Sequence, residues 1–526
     1  MFNMKMLLAY MSGAPDRNDP FVSVLPAGLC SLLACLREAG FDALLANFSG
    51  WPEAAVIKHL RLLKPDIIGI SQWTHNRHAS LDLARLVRRE RPGSTVIMGG
   101  AHATFRYKEL LAEGSPVDIV VLGEGEATLQ EIAGLVAAGQ DWKSARGIAF
   151  RHCGKVVVND LRPPLLDLDL LPIASRYLED SIGVDRELQS EFILTARGCP
   201  SACYFCSSPG FWKRKIRFRS PANIYNEIRY IRDKYGLIYY SLRDDTFTAD
   251  RNRTIEFCRL LIEGGAHLLW NCQSRVNAID EEMLTWMKRA GCECVQLGVE
   301  SGSPEILKRL GKSITPGQVE RAASLIRKLG INLSVYLISN VPGETEADIK
   351  QTVELIRRIR PDDGYVSPLA YYPGTKLFED AVAKGLVDKD VFEENPDVAV
   401  YAAGVPGPDS SRLLKALAGH AQRDAGRFRR QKQLLGYCYT TNVLAGEWHR
   451  QNGNFTAAEQ EFREITEKEA TNPWGWYLLG DLYREQGEGR VAAQCCRKVL
   501  EVVPMHGPSL AALGIKKERG HDGPAG

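Results

Sequence analysis

From Met4 to about Val136, short runs rich in Val, Ile and Leu alternate with stretches whose apolar residues recur three and four apart. The runs MLLAY, ALLAN, DIIGIS, TVIMGG and DIVVLG predict five strands, and LCSLLACLREAG, AAVIKHLRLLKP and LDLARLVRRERPG predict helices closed by Gly or Pro. Such alternation predicts a parallel, doubly wound α/β domain over 1–145, with its ligand crevice outside the carboxyl ends of the strands. Small or polar residues stand at those ends: Ser71, Gly99, Gly100 and Gly123. Over 146–189 the alternation lapses, and RPPLLDLDLLP suits an ordered linker. A second series, EFILTA, LIYYSL, LLWNCQ, CVQLGV, INLSVYLIS and DGYVSPLA, predicts six parallel strands over 190–385. Six are too few for a closed eight-stranded barrel, so a partial (β/α)6 barrel is expected. Beyond Leu386 the pattern is helical: a connector over 386–440, then a region over 441–520 in which Gly446, Gly453 and Ala458 recur 34 residues later as Gly480, Gly487 and Ala492.

The chain has 526 residues, and 66 basic against 64 acidic residues give a formal charge of +2. This balance gives no reason to expect nucleic acid as a partner. No apolar run reaches the roughly 20 residues needed to cross a bilayer, and the first eleven residues are too short for a signal peptide. A cytoplasmic protein is expected, with most of its 13 cysteines as buried thiols.

Cys199, Cys203 and Cys206 are the exception, because they fall in one loop straight after a predicted strand, spaced C-x3-C-x2-C. No matching Cys or His pair follows to complete a tetrahedral zinc site. Three thiolates on a 4Fe-4S cluster would leave one iron open to a small molecule. With Phe205 before the last cysteine, the motif resembles that of the radical S-adenosylmethionine superfamily. The resemblance implies that Cys199, Cys203 and Cys206 ligate the cluster and that S-adenosylmethionine binds its open iron. It also implies that Asp244 or Asp245, in Arg243-Asp244-Asp245-Thr246-Phe247, meets the cofactor's amino group. Further matches are Gly298, Glu300 and Ser301 in QLGVESGS, where Glu300 is expected to pair with a basic neighbour such as Arg275 or with a polar group. In Val341-Pro342-Gly343-Glu344-Thr345 the family's preceding glycine is Asn340, which puts the adenine contact there in question. Together these matches cover about Glu191 to Phe378. Gly311-Lys312-Ser313 lacks the first glycine and the preceding strand of a phosphate loop, so no triphosphate site is expected.

The first domain resembles the cobalamin-binding module of the cobalamin-dependent members of this superfamily, through Pro26-Ala27-Gly28-Leu29, Gly99-Gly100-Ala101-His102-Ala103-Thr104 and Gly123-Glu124-Gly125-Glu126. Ser71, Gly99, Gly100, Gly123 and Glu124 are the expected contacts. The loop after the first strand, Ser12 to Arg17, has no histidine; His75, His78 and His102 lie after later strands and are expected to be surface or hydrogen-bonding residues. Cobalamin without a protein histidine on cobalt is therefore implied.

The combined resemblance implies a methyltransferase acting on a poorly nucleophilic, often sp3 carbon: the deoxyadenosyl radical removes a hydrogen and methylcobalamin donates the methyl group. Flavodoxin or ferredoxin is the expected external electron donor, and the substrate a small or lipid-like molecule. Two alternatives stand beside it: radical oxidation or cyclisation without methyl transfer, and a repeat-based interaction protein with vestigial α/β domains. Trp476, Leu479, Gly480, Tyr483, Ala492 and Pro504 resemble a tetratricopeptide unit, which is either a helical cap on the barrel or a groove for a protein partner. The basic cluster Lys213, Arg214, Lys215, Arg217 and Arg219 is expected as a solvated loop.

Overall fold

The computed structural model describes residues 4–13, 24–394, 396–402, 409–418 and 426–516. All five strands expected in the first domain form: β1 (Lys5–Tyr10), β2 (Asp42–Asn47), β3 (Ile67–Ser71), β4 (Thr95–Gly99) and β5 (Ile119–Val121). They pair in parallel in the order β2-β1-β3-β4-β5. Alternate residues of β1 enter cores on opposite faces, Met6 and Leu8 on one and Leu7 and Ala9 on the other, as a sheet covered by helices on both sides requires.

The sheet does not stop there. β6 (Ile148–His152) and β7 (Lys155–Val158) add two antiparallel strands within the stretch expected to be linker, making seven. Their turn residues, Cys153 and Gly154, both take positive φ (48° and 76°), the backbone of a two-residue type I′ hairpin. A cysteine at the first turn position hid the hairpin from the sequence pattern.

The second body holds β8 (Phe192–Ile193), β9 (Ala196–Arg197), β10 (Arg217–Phe218), β11 (Tyr239–Leu242), β12 (Leu269–Ser274), β13 (Cys292–Glu300), β14 (Asn332–Ser339) and β15 (Asp363–Pro368). β8 and β11 to β15 form one six-stranded parallel sheet in sequential order, while β9 and β10 pair as a small ribbon beside it. Helices such as Arg251–Glu263, Pro316–Lys328 and Glu346–Ile359 cross between the strands, each with a side-chain N-cap from Asp250, Thr315 or Thr345. Strand structure does not end at Leu386 as expected, since β16 (Ala370–Tyr371) pairs with β17 (Val400–Tyr401).

The remaining described chain is helical. Two helical hairpins, Tyr439–Gln451 with Phe455–Lys468 and Pro473–Glu485 with Gly489–Val502, start 34 residues apart. Residues 517–520, at the end of the expected repeat region, lie outside the described residues. The first hairpin packs on the second sheet, where the Tyr439 hydroxyl donates to the Leu268 carbonyl at 2.6 Å and Tyr439 and Val443 share a core with Ile238 and Leu269. Ile238 immediately precedes β11 and Leu269 begins β12, so the helical region covers the amino-terminal ends of these strands.

The connector also reaches the first domain. Helix Arg77–Glu90 has no capping bond from Asn76, whose side chain instead donates to the Met11 and Ser71 carbonyls. The cap comes from Asp397, which accepts from the His78 and Ala79 amides at 2.8 and 2.9 Å. Arg77 donates to the Phe392 carbonyl at 2.7 Å, and Arg106 pairs with Glu393 at 2.7 Å. Asp397→Ala is expected to lower stability by about 0.5–2 kcal/mol, the usual range for a lost N-cap, with Asp397→Asn retaining much of it; chemical denaturation of the two variants checks this.

Candidate cofactor site between the two sheets

The carboxyl ends of β3, β4 and β5 face the ends of β8 and β9 across one cavity of about 670 Å³. Its border on the first domain includes Ser71, Gly99, Gly100, Gly123 and Glu124, and on the second Cys206, Ser208, Arg243 and Asp245. From this mouth the cavity continues past Leu25, Leu29 and Leu129 to Leu8, Gly69 and Ile97, forming an apolar slot along the face of the first sheet. Gly100 has φ +106°, and a Cβ there would lie 2.5 Å from the Gln72 carbonyl oxygen, so no other residue fits without displacing backbone. The Gly123 amide donates to the Thr104 hydroxyl at 3.1 Å, which fixes the neighbouring loop. Glycine edges over an apolar slot fit a large, flat, amphipathic cofactor.

On the facing side, the cysteine loop is held by its middle. The Tyr204 amide donates to the Leu310 carbonyl at 2.9 Å and its carbonyl accepts from the Leu377 amide at 2.8 Å. Phe205 packs against Ile306, Leu310, Val341 and Leu369, which makes it an apolar anchor for the loop. Cys199, Cys203 and Cys206 are free and partly exposed, and the Cys206 amide donates to the Cys203 carbonyl at 3.3 Å. Burial pushes the Cys203 thiol up against the pull of Lys312, and pushes Cys206 up to about 12. Such thiols ionise when a cationic metal centre supplies the charge. Among the described residues no group of three His, Cys, Asp or Glu side chains closes tightly enough around one ion. Three free sulfurs in one anchored loop, without a fourth donor, suit a larger cluster bound at its corners.

The aspartates divide. Asp244 is fully buried and accepts from the Thr195 amide (2.6 Å), the Ala196 amide (2.9 Å) and the Thr195 hydroxyl. Burial raises its pKa despite Arg253 and those donors. Its oxygens are committed to the crossing from β8 to β9, which removes it from the cofactor set. Asp245 is exposed, lines the cavity and accepts from the Ser208 hydroxyl at 2.6 Å; it is the aspartate open to a ligand.

Glu300 pairs with Lys312 at 2.7 Å, both nearly buried, rather than with Arg275. It sits at φ +64°, where β13 and β14 slip register between Gly298 and Glu300. A non-glycine residue held there stores about 1–3 kcal/mol of strain, a frequent mark of a functional site. A Cβ on Gly298 would come within 2.7 Å of the Glu300 carboxylate and 2.9 Å of the Lys312 ammonium, so this glycine makes room for the pair. Cys203 feels Glu300, Lys312 and Arg275, which sets the pair beside the cysteine loop. Ser301 is buried and bonded to Thr352 (3.1 Å) and the Ser303 amide (3.1 Å), a framework role. Asn340 takes φ +57°, which explains why glycine and asparagine both suit this position; its side chain accepts from Ser339 at 3.1 Å and Ser410 at 3.3 Å.

Glu124 borders the cavity, but its oxygens are taken by Arg197 and Arg217, each at 2.7 Å. Arg197 also pairs with Glu126 at 2.6 Å. The sequence reading missed Arg197, whose position just before Gly198 and Cys199 was its only signal. Arg217 and Arg219 are likewise not solvated: Arg219 pairs with Glu227 at 2.5 Å. His75 bonds Tyr10 (2.7 Å), His102 bonds Thr74 (3.1 Å) and His78 bonds the Phe392 carbonyl (3.1 Å), all outside the cavity lining. Burial depresses the His75 pKa and takes His102 down to about 3. Of Ser12–Arg17, residues 14–17 lie outside the described residues.

The arrangement defines a cofactor-dependent enzyme, with a thiolate loop opposed to a doubly wound ligand domain. Comparison with known proteins agrees. Residues 193–356 match the radical SAM superfamily and residues 22–133 the B12 binding domain. An uncharacterized methyltransferase of Pyrococcus horikoshii is 31% identical over 69% of this chain and 79% of its own. An anaerobic magnesium-protoporphyrin IX monomethyl ester cyclase of Rubrivivax gelatinosus is 30% identical over 79% of this chain and 75% of its own. Among solved structures, the radical S-adenosylmethionine methyltransferase TsrM of Kitasatospora setae, with cobalamin and an iron–sulfur cluster bound, superposes with a TM-score of 0.63 at 16% identity, over 88% of this chain and 100% of that one. The chain belongs to the cobalamin-dependent radical S-adenosylmethionine family, whose cofactors are a 4Fe-4S cluster, S-adenosylmethionine and cobalamin.

Burial pushes the Glu126 carboxyl up, but Arg197 and Ser31 more than reverse this and hold it below 4.5. A depressed carboxylate stabilises the fold above its unfolded value and loses that contribution as pH falls through the folded value. In Arg197→Met the Ser31 and backbone donors remain but the charge of Arg197 does not, so burial is opposed by less and the carboxyl rises. The stability gap between wild type and Arg197→Met is therefore expected to be wider at pH 7 than at pH 4, reaching about 3–5 kcal/mol; urea unfolding at both pH values checks it, and an equal gap would remove Glu126 as its source.

Proposed function

We propose that the protein is a cobalamin-dependent radical S-adenosylmethionine methyltransferase acting on a poorly nucleophilic, often sp3 carbon of a small or lipid-like molecule. The observation that carries this is the single cavity bordered by both Gly99–Gly100 and Cys206. When bound, the cofactors supply one-electron cleavage of S-adenosylmethionine and a transferable methyl group. Cys199, Cys203 and Cys206 would hold the cluster, with Phe205 fixing their loop. Asp245 is the acceptor open to the amino group of S-adenosylmethionine. Glu300 and Lys312 keep a compensated charge pair beside Cys203, and Gly298 gives it room. Ser71, Gly99, Gly100 and Gly123 would border cobalamin, while apolar walls exclude water from reactive species.

In this reading the six-stranded sheet is a partial (β/α)6 barrel, and the two hairpins are tetratricopeptide-like units capping its amino-terminal end. Packing of Tyr439 and Val443 on the sheet supports the cap. An external flavodoxin or ferredoxin supplies electrons, in a reducing, cytoplasmic setting that suits 13 free cysteines. The Rubrivivax cyclase, as similar as the methyltransferase relative, favours a second reading in which the same cavity performs radical oxidation or cyclisation.

Anaerobic protein produced with cobalamin is expected to carry about four irons and one cobalt per chain, and a Cys199→Ala, Cys203→Ala, Cys206→Ala variant to lose the iron alone. Iron without cobalt would overturn the cobalamin-dependent reading, and neither metal would overturn the enzyme. A methylated product, against deoxyadenosine without methyl transfer, separates the two chemistries.

A further inference from the structure

Arg243 follows β11 directly and lines the shared cavity. The register Leu242↔Cys272 sets it level with Gln273, and Gln273 pairs in turn with Gln296. Alternation along the strands puts these three side chains on one face of the second sheet, together with Tyr336. The Tyr336 hydroxyl donates to the side-chain Oε1 of Gln296 at 2.9 Å, and Tyr336 stacks on Tyr365 with ring centroids 5.3 Å apart. A band of polar and aromatic groups thus runs from the cavity across the sheet to the exposed Tyr365 on its edge strand.

Within that band one cation stands out. The nearby arginines Arg197, Arg217 and Arg219 each hold a carboxylate at 2.5–2.7 Å. Arg243 forms no ion pair with any described carboxylate. Its guanidinium lies over the Phe192 ring at 5.2 Å, and one Nη sits 3.5 Å from the Gln296 oxygen, a long contact. The ring takes a face of the planar cation, whereas its five N–H donors lie in the plane; the Tyr336 hydroxyl engages one and Gln296 weakly another, and none of them meets a carboxylate. A partly buried guanidinium whose in-plane donors meet only neutral side chains matches carboxylate and phosphate geometry. Glu191 is the carboxyl that feels Arg243, but burial raises its pKa, so it is a poor permanent counterion.

We propose that the substrate is an organic oxyanion, a carboxylate or a phosphate or phosphonate ester, whose charged end is seated on Arg243 with Tyr336 and Gln273 beside it. The inference rests on the radical enzyme reading above and adds the substrate class and its specificity residue.

The test is calorimetric titration of the anaerobically reconstituted holoenzyme with benzoate and phenylphosphonate, using benzamide as the neutral counterpart of benzoate. At least one anion is expected to bind saturably, and which one identifies a planar or a tetrahedral group. Benzamide should bind about tenfold more weakly or worse, the loss of one charge-assisted contact. Arg243→Gln should lose about tenfold or more in anion affinity with iron content and S-adenosylmethionine affinity unchanged, and Arg243→Lys should recover part of it. No saturable anion binding, equal binding of benzoate and benzamide, or full anion affinity in Arg243→Gln would overturn the proposal. So would a loss of S-adenosylmethionine affinity alone, which would assign Arg243 to the cofactor. Deoxyadenosine formation by the wild type, measured in parallel, reports on the enzyme reading separately from anion binding.

Discussion

Everything at the candidate site depends on one buried fork: Arg197 of the second body, grasped by Glu124 and Glu126 of the first. Arg217 closes the set on the far oxygen of Glu124. Removing four charges from water costs several kcal/mol per ion, and their mutual attraction offsets this only when the hydrogen bonds are complete. The fork is therefore not evidence of exceptional stability. What it supplies is direction, because a guanidinium and a carboxylate fit each other in few orientations. Arg197 is two residues before Cys199, and Glu124 directly follows Gly123. The same contact that joins the two bodies thus sets the cysteine loop against the glycine edge, and a single cavity results.

A second economy of charge lies on the far side of the loop. Glu300 is forced into left-handed backbone at a register slip, and Lys312 compensates its charge. Lys312 belongs to the Gly-Lys-Ser triplet that superficially resembles a phosphate loop, and its ammonium is already engaged. The triplet's glycine, Gly311, has a role of its own: φ is +65°, and the Tyr204 ring lies against it. A sequence fragment that looks like a nucleotide site is in fact part of the wall that supports the cysteines.

The parallel strands of both sheets were legible because buried parallel strands concentrate Val, Ile and Leu in short runs, and the cysteine loop because its spacing has few other uses. Less accessible were features set by residues far apart in sequence. Nothing local distinguishes Asp244 from Asp245, yet one is sealed beneath Thr195 and the other faces the cavity. Nothing near Glu124 announces that Arg197 will consume its oxygens. The clasp of Asp397 on the helix at Arg77 spans more than 300 residues, and the β6–β7 hairpin turns on a Cys-Gly pair where Asn-Gly is the usual signal. Periodicity reveals which side chains are buried; it does not reveal which polar groups will meet.

The division of labour along the second sheet follows from the same logic. Parallel strands direct all their carboxyl ends to one side, where loops vary without disturbing the core, and leave their amino-terminal ends to be covered. Here the cover is the helical region: Tyr439 bonds to the Leu268 carbonyl, and Arg289 donates to the Leu435 carbonyl at 2.8 Å. An edge sealed in this way resists fraying at the strand starts while the strand ends stay free to carry Arg243, Asp245 and the cysteine loop. Covering one end firmly is what allows the other to remain an open, polar-lined cavity between two domains.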